Sequence, residues 1–261
     1  MRMKTRIFVN RDLGTDAGER ATAAQKGFTL VELSIVLVII GLIIGGVLKG
    51  QELIANAQIK NVASQMQGYQ AAFQAFKDKY NALPGDVVGA NNLIPGCTAA
   101  PCLPGSGTQG DGRIGTSVAT SYNTNVSTVA ENIAAWQQLA ATRFVGGVEL
   151  GTTSTAVFGS QFPSAQTGGG FHILYQGATG RHVLRLTGTV GAPASASGAL
   201  RPDQALQLDN ILDDGQPVSG ALFTNTTISD GAGSDACLTS ATNIYTAANS
   251  ASTCNLIYDL N

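Results

Sequence analysis

Charged residues and histidines are scarce in this 261-residue sequence, and both shortages narrow the range of functions. Only 12% of the residues are charged, the formal net charge is −2, and there are two histidines. A chain without a basic excess gives no support for a broad nucleic-acid-binding surface. Two histidines, with no nucleophile-elbow motif and no glycine-rich phosphate loop in context, leave no convincing catalytic set. We therefore expect that the protein is not an enzyme.

Cysteine is also sparse, and the sequence has no Cys-x-x-Cys motif. The four cysteines fall in two local pairs, Cys97 with Cys102 and Cys237 with Cys254. The absence of this motif argues against a zinc-binding or redox role. An even number of cysteines in an exported chain indicates disulfides. Four cysteines can be paired in three ways, and we favour the two local disulfides.

The most informative feature that is present is a long apolar segment near the N-terminus. Residues 28–48 form a run of 21 residues in which Glu32 is the single charge. As a helix, this run is long enough to span about 30 Å of hydrocarbon. A carboxylate inside such a helix costs roughly 2.5–3.5 kcal/mol on insertion scales, so we expect Glu32 to face a compensating group.

The segment that precedes the apolar run is basic. Residues 1–27 contain six basic and three acidic residues and no long apolar run. A basic segment before an apolar core is typical of an export signal, and it keeps the basic end in the cytoplasm. The downstream flank, residues 45–51, has no Ala-x-Ala site. We therefore expect the apolar segment to be retained.

A motif at the start of the apolar run resembles the processing site of type IV pilins and type II secretion pseudopilins: Gln25-Lys26-Gly27-Phe28-Thr29-Leu30-Val31-Glu32. The resemblance implies that a prepilin peptidase cuts between Gly27 and Phe28 and that Phe28 is then N-methylated. Gly27 suits close approach by a protease because it has no side chain. Glu32 would lie one helical turn into the mature chain. There it could pair with the Phe28 amine of a neighbouring copy and set the register of assembly.

The same resemblance implies partners and a location. The chain would be a single-pass protein of the bacterial inner membrane with its head in the periplasm, and would then enter a pilus, a pseudopilus or the cell surface. The implied partners are the prepilin peptidase, the inner-membrane assembly platform, the lipid bilayer, and other copies or related pilins in a filament. Direct nucleic-acid binding is not expected, since the chain without residues 1–27 keeps 9 basic and 14 acidic residues, a net charge of −5.

The hydrophobic pattern predicts an α+β fold in which one long N-terminal helix packs on a C-terminal antiparallel sheet. We expect the helix to run from residue 28 to about residue 79, a length of about 75 Å, with an apolar first half. Its second half carries an apolar stripe that should pack on the sheet: Ile59, Val62, Met66, Tyr69, Phe73, Phe76 and Tyr80. The predicted parts are a cleaved leader (1–27), a membrane or filament-core segment (28–50), an amphipathic helix half (51–82) and a globular head (83–261).

Within the head, the sequence predicts a long loop followed by a helix, a hairpin and shorter elements. We expect the loop over residues 87–126, an amphipathic helix over 128–144, strands at 171–175 and 182–186, a short helix or turn over 202–212, and strands at 218–224 and 255–259. The helix should turn Ile133, Trp136, Leu139 and Ala140 inward. His172 and His182 could lie near each other across the hairpin, although we interpret both as strand histidines rather than ligands.

Two acidic segments are candidate metal sites. Asp209, Asp213 and Asp214 offer several oxygens close together, which suits calcium, and the resemblance adds that some pseudopilins bind calcium in a C-terminal loop. The alternative, which we favour, is an acidic turn that ends a helix, so no cofactor is expected. Residues 109–114 resemble a calcium loop, but Asp111 alone is too few carboxylates. Many members of the family also close a C-terminal loop with a disulfide, which agrees with pairing Cys237 and Cys254.

The sequence leaves three functions as alternatives. The favoured one is a structural prepilin subunit of a type IV pilus-like filament. The second is a pseudopilin of type II secretion. The third is a membrane-anchored periplasmic domain of another function, which would need a catalytic constellation or an uncut leader.

Overall fold

The computed structural model describes residues 27–104, 109–115, 131–151, 157–176, 180–190, 198–224, 237–239, 244–246, 251 and 254–261. The helices are α1 (Leu30–Tyr80), α2 (Ala90–Leu93), α3 (Glu131–Ala141) and α4 (Pro202–Leu212). The strands are β1 (Gly170–Gln176), β2 (Arg181–Thr187), β3 (Leu222–Thr224), β4 (Leu238–Thr239), β5 (Ile244–Tyr245) and β6 (Leu256–Asp259). The predicted α+β class, with a long N-terminal helix and an antiparallel sheet, is confirmed.

The chain divides into two compact units, residues 1–50 and residues 51–261. Helix α1 contributes its apolar first part to the first unit and its second part to the second unit. The predicted leader lies outside the described residues apart from Gly27, as do residues 128–130 of the predicted second helix and residues 105–108 and 116–126 of the predicted loop.

In the second unit, the apolar stripe of α1 enters the main core as predicted. Ile59, Val62, Met66, Phe73 and Phe76 are buried. Tyr69 and Tyr80 are half-buried and pack against the same core. The Tyr69 ring lies edge-on to two aromatic rings, at 5.0 Å from that of Trp136 on α3 and at 5.1 Å from that of Phe171 on β1. One tyrosine of α1 therefore contacts both a helix and the sheet.

The main sheet has four antiparallel strands in the order β1-β2-β6-β3. The predicted hairpin of β1 and β2 is present, with Phe171 opposite Leu186 and Tyr175 opposite His182. Strand β6 pairs with both β2 and β3, so the chain's C-terminal strand is internal. Two glutamines of α1 donate hydrogen bonds to the C-terminal end of β6 and to the residue after it. The Gln70 Nε2 donates to the Asp259 carbonyl at 3.3 Å, and the Gln74 Nε2 donates to the Leu260 carbonyl at 2.5 Å.

The suggestion that His172 and His182 could lie near each other across the hairpin is wrong. In the β1–β2 register, His172 lies opposite Arg185 and His182 lies opposite Tyr175. Since successive residues of a strand point to opposite faces, the two imidazoles lie on opposite faces of the sheet. His172 contacts the Phe158 and Phe162 rings, whereas His182 contacts the Phe73 and Tyr175 rings.

Helix α3 differs from the amphipathic helix that the sequence predicts. Ile133, Trp136 and Leu139 are buried as expected, whereas Ala140 is only half-buried. The face expected to be polar is also buried, including Glu131, Gln137 and Gln138. Burial is tolerated there because each of these polar side chains hydrogen-bonds to the backbone of another segment.

The remaining elements follow the prediction in part. Helix α4 has the predicted bounds. Strand β3 is shorter than the predicted 218–224, because residues 217–220 form a turn before it. The short helix α2 and the β4–β5 hairpin were not predicted, since each is too short to show a periodic pattern.

Candidate processing site and carboxylate clusters

At the N-terminus of α1, the Glu32 carboxylate is held by Thr29. The Thr29 backbone N–H and hydroxyl donate to Glu32 Oε2 at 2.8 Å and 2.9 Å, and the Glu32 N–H donates back to Thr29 Oγ1 at 3.2 Å. This reciprocal arrangement is a capping box, and it satisfies donors that a helix start otherwise leaves free. Thr29 was not predicted to have a role, although the Thr-x-x-Glu spacing before an apolar run was visible in the sequence.

The two residues that flank the predicted cleavage point are exposed to solvent in this structure. Gly27 is exposed, and a Cβ added to it would meet no atom within 4 Å. The Phe28 side chain is 83% exposed. Access by a protease is therefore unobstructed by the described residues, whereas cleavage itself and N-methylation of Phe28 stay predictions.

The apolar residues of α1 in the first unit are exposed along their whole length. The large apolar side chains from Leu30 to Leu48 range from 44% exposed at Ile40 to 86% at Leu30. A Cβ added at Gly41, Gly45 or Gly46 would meet nothing within 4 Å. By length and composition, α1 is the one helix among the described residues that could cross a membrane. An apolar surface of this length is much larger than a soluble monomer normally exposes.

The three candidate metal ligands come together in the structure. Asp209 is buried in α4, Asp213 caps the end of that helix, and Asp214 is exposed in the following turn. One oxygen from each carboxylate lies within 4.8 Å of the other two. Burial and the neighbouring Asp214 and Asp213 raise the pKa of Asp209 to about 6. The carboxylate of Asp209 also accepts a hydrogen bond of 2.8 Å from the Tyr245 hydroxyl of β5.

The aspartates also build the turn that joins α4 to β3, as the favoured alternative expects. Asp213 Oδ2 accepts the N–H groups of Ala221 and Leu222, the latter at 3.0 Å. Asp214 accepts the Gln216 N–H and the Ser219 hydroxyl, each at 2.8 Å. A turn-building role is therefore present. Calcium binding stays an alternative that these contacts do not test.

A second carboxylate cluster joins parts of the chain that the sequence did not connect. Asp86 accepts hydrogen bonds from the N–H groups of Gly110, Asp111 and Gly112. Glu131 of α3 accepts the Gly115 N–H at 2.8 Å and is fully buried. Burial raises the pKa of both Asp86 and Glu131. The segment that resembles a calcium loop, residues 109–114, is therefore held by the Asp86 carboxylate, which lies outside it.

Both disulfides join the cysteines that the sequence favours. Cys97 and Cys102 have Cα atoms 5.3 Å apart, and those of Cys237 and Cys254 are 4.9 Å apart. All four cysteines are buried. The first disulfide loop contacts α3 through Gln138, whose Nε2 donates to the Cys102 carbonyl at 3.1 Å. The second encloses the β4–β5 hairpin that carries Tyr245.

These features define a protein with a membrane-length apolar N-terminal helix, an acidic residue capped at its start, and a disulfide-containing α+β unit. Comparison with protein families adds one specific finding: residues 22–48 match the model of the prokaryotic N-terminal methylation motif. The match includes Gly27, Phe28 and Glu32, and it is consistent with the type IV pilin and pseudopilin family. No curated protein and no solved structure matches the chain. The motif and the apolar helix together indicate membrane anchoring.

Proposed function

We propose that this chain is a structural prepilin subunit that is cut by a prepilin peptidase between Gly27 and Phe28, N-methylated on Phe28, and assembled into a type IV pilus-like filament. The observation that carries the proposal is the methylation motif at residues 22–48, with Glu32 one turn into an exposed apolar helix. In this proposal the head is structural and not catalytic. Its proposed location is first the periplasmic face of the inner membrane and then the filament.

The contacts of Glu32 support a two-stage use of its carboxylate. Before assembly, Thr29 satisfies the carboxylate locally through two hydrogen bonds. A carboxylate with local donors is less costly to hold at a membrane boundary than a bare one. On assembly, the positively charged Phe28 amine of a neighbouring copy would replace or join Thr29, and the pair would fix the axial register.

The exposed apolar part of α1 supports both the membrane and the filament stage. A surface that is apolar all round suits lipid before extraction, and it suits the helices of other subunits afterwards. The glycines at 41, 45 and 46 add short stretches of uncovered backbone. In lipid, small residues of this kind let helices approach each other closely.

The proposal is tested first by mass spectrometry of filaments sheared from intact cells. We expect an N-methylated peptide that begins at Phe28. The same peptide confined to the membrane fraction would favour the pseudopilin alternative or a minor subunit. An intact leader in that fraction would contradict processing and would favour a membrane-anchored domain of another function.

Substitution of Glu32 tests the charge pair separately from processing. Glu32→Ala should still insert, and its N-terminal peptide should still begin at Phe28, whereas its incorporation into filaments should fall by at least about tenfold because a lost buried charge pair costs several kcal/mol. Glu52→Ala, on the same helix beyond the apolar run, is the matched control and should assemble normally. Normal filament incorporation of the Glu32→Ala chain would refute the charge-pair mechanism.

A further inference from the structure

A cleft of about 870 Å³ lies beside the C-terminal end of α1 in the second unit. Its volume is within the range of about 300–1,000 Å³ that is usual for ligand sites. The wall combines residues from the end of α1, from the segments 81–88 and 110–113, and from the adjoining ends of β1 and β2. The packing of the second unit, and not a local motif, therefore forms this cleft.

The 110–113 part of the wall is fixed by hydrogen bonds on both sides. The Asp86 carboxylate accepts the N–H groups of residues 110–112. Directly after this segment, the Ile114 carbonyl accepts the Tyr175 N–H of β1 at 2.9 Å. A wall that is already ordered avoids the free-energy cost of ordering it when a ligand binds.

Arg113 extends from this fixed segment with its guanidinium over the Tyr175 ring, 5.3 Å from the ring centroid. Stacking on an aromatic face orients a guanidinium and leaves the N–H donors in its plane available to another partner. Among the described residues, the guanidinium is in no ion pair, and the one hydrogen bond that Arg113 donates comes from its backbone N–H. An oriented guanidinium with unused donors is suited to bind a carboxylate through two parallel hydrogen bonds.

A second positive charge in the wall also keeps its donors for a ligand. Lys77 of α1 is exposed, and the ion pairs of the described residues do not include it. The two carboxylates of the wall are directed at backbone groups instead: Asp86 accepts the N–H groups of residues 110–112, and Asp111 accepts the Arg113 N–H at 2.9 Å. The cleft therefore has two cationic side chains whose charged groups bind no acidic partner in this part of the structure.

The same wall carries aliphatic side chains that face solvent. Val88 is 65% exposed and Leu93 of α2 is 53% exposed, although both line the cleft. Aliphatic groups beside available cations match a ligand in which an apolar group is attached to a carboxylate. A small inorganic anion would satisfy the cations but would leave Val88 and Leu93 exposed.

We propose that this cleft binds a carboxylate attached to an apolar group, with Arg113 and Lys77 on the carboxylate and Val88 and Leu93 on the apolar part. Two sources share this chemistry: the C-terminal carboxylate of a peptide whose last residue is apolar, and a free aliphatic acid. The cleft gives the second unit a recognition role in addition to its structural one. This inference depends neither on cleavage before Phe28 nor on assembly into filaments.

Binding is tested on the full chain in detergent micelles by isothermal titration calorimetry, with the heat of titration into micelles alone subtracted. The probe is the dipeptide N-acetyl-alanyl-leucine, for which we expect a dissociation constant on the order of 10⁻⁴ M, as is usual for a ligand of this size. The C-terminal amide of the same dipeptide lacks the charge and should bind at least about tenfold more weakly. Equal binding of acid and amide, or no heat of binding with the acid, would overturn the proposal.

Substitutions of the two cations test the assigned residues. Arg113→Gln should weaken binding of the dipeptide by at least about tenfold, and Lys77→Gln by about threefold or more. Arg143→Gln is the matched control, because Arg143 is exposed and does not line the cleft. Lys77 is exposed, so its variant should fold normally, and an unchanged melting temperature checks the fold of Arg113→Gln. Affinity equal to that of the parent chain in both cleft variants would overturn the assignment.

The apolar part of the site is tested with Leu93→Ala. This variant should bind N-acetyl-alanyl-leucine about threefold more weakly and N-acetyl-alanyl-alanine as the parent chain does. Equal changes for the two dipeptides, or binding of acetate as tight as that of the leucine dipeptide, would overturn the apolar contact. The free acid 4-methylpentanoate then separates the two sources. Binding of the dipeptide that is at least about tenfold tighter than that of the free acid identifies a peptide terminus, and equal affinities identify the free acid.

Discussion

Gln138 of α3 provides the sharpest test of how the head is held together. Its Oε1 accepts the Gly85 N–H at 2.7 Å, and its Nε2 donates to the Cys102 carbonyl at 3.1 Å. Gln138, Gly85 and Cys102 are all buried. Gln138→Leu preserves the approximate volume and removes both bonds, which leaves a buried donor and a buried acceptor without partners.

The expected loss follows from these two groups. Each buried backbone group without a partner costs about 1–3 kcal/mol, and the apolar leucine recovers part of this. We therefore expect the free energy of unfolding to fall by about 2–4 kcal/mol. Trp136 is the single tryptophan and is fully buried on the same helix, so its fluorescence reports urea unfolding of the full chain in detergent micelles.

Gln137→Leu is the matched control. Gln137 is equally buried, but its Nε2 donates to the carbonyl of Glu149, which is exposed. Water can replace that lost donor, so we expect a loss below about 1 kcal/mol. If the two leucine variants unfold at the same urea concentration, the loss from Gln138 does not come from its buried backbone partners, and the reasoning is refuted.

Two further predictions concern pH and backbone strain. Burial, and to a smaller extent Arg185, lower the pKa of His172 to about 3 from an ordinary 6.5. The unfolded chain therefore takes up a proton first, and stability present above pH 6.5 is lost as the pH falls toward 3, at about 1.4 kcal/mol per pH unit. In urea titrations between pH 6.5 and 4, the free energy of unfolding of His172→Gln should lack this pH-dependent loss. Parallel pH profiles for the parent chain and the variant would contradict the prediction. Gly85→Ala should cost at least about 2 kcal/mol, because Gly85 has a φ of +89° and the new Cβ would meet the Glu131 carbonyl and Ala135. Gly96→Ala, with a φ of +83° and open space around it, should cost only about 1 kcal/mol, and equal losses would show that the contacts at Gly85 do not matter.

Several features were predictable because they depend on residues close together in sequence. The apolar run at 28–48, the Thr-x-x-Glu spacing at its start and the stripe over 59–80 each specify a helix and its faces locally. The short span between Cys97 and Cys102 likewise favours a local disulfide. The β1–β2 hairpin follows from two β-rich segments with a short connection.

The contacts that sequence reasoning missed join distant segments. Asp86 meets the loop at Gly110–Gly112, more than 20 residues away, and Gln138 joins Gly85 to the first disulfide loop. Helix α3 is predicted as amphipathic because a buried glutamine looks like a surface residue until its backbone partners are known.

The sequence by itself determined the N-terminal segment, its membrane-length helix and the class of processing motif, because those signals are continuous along the chain. Only the tertiary structure decided which polar side chains are buried and which carboxylates share a site. The physical reason is that a carboxylate of α4 and a tyrosine of β5 are brought within hydrogen-bond distance by packing of the core, and no local pattern around either residue specifies the other.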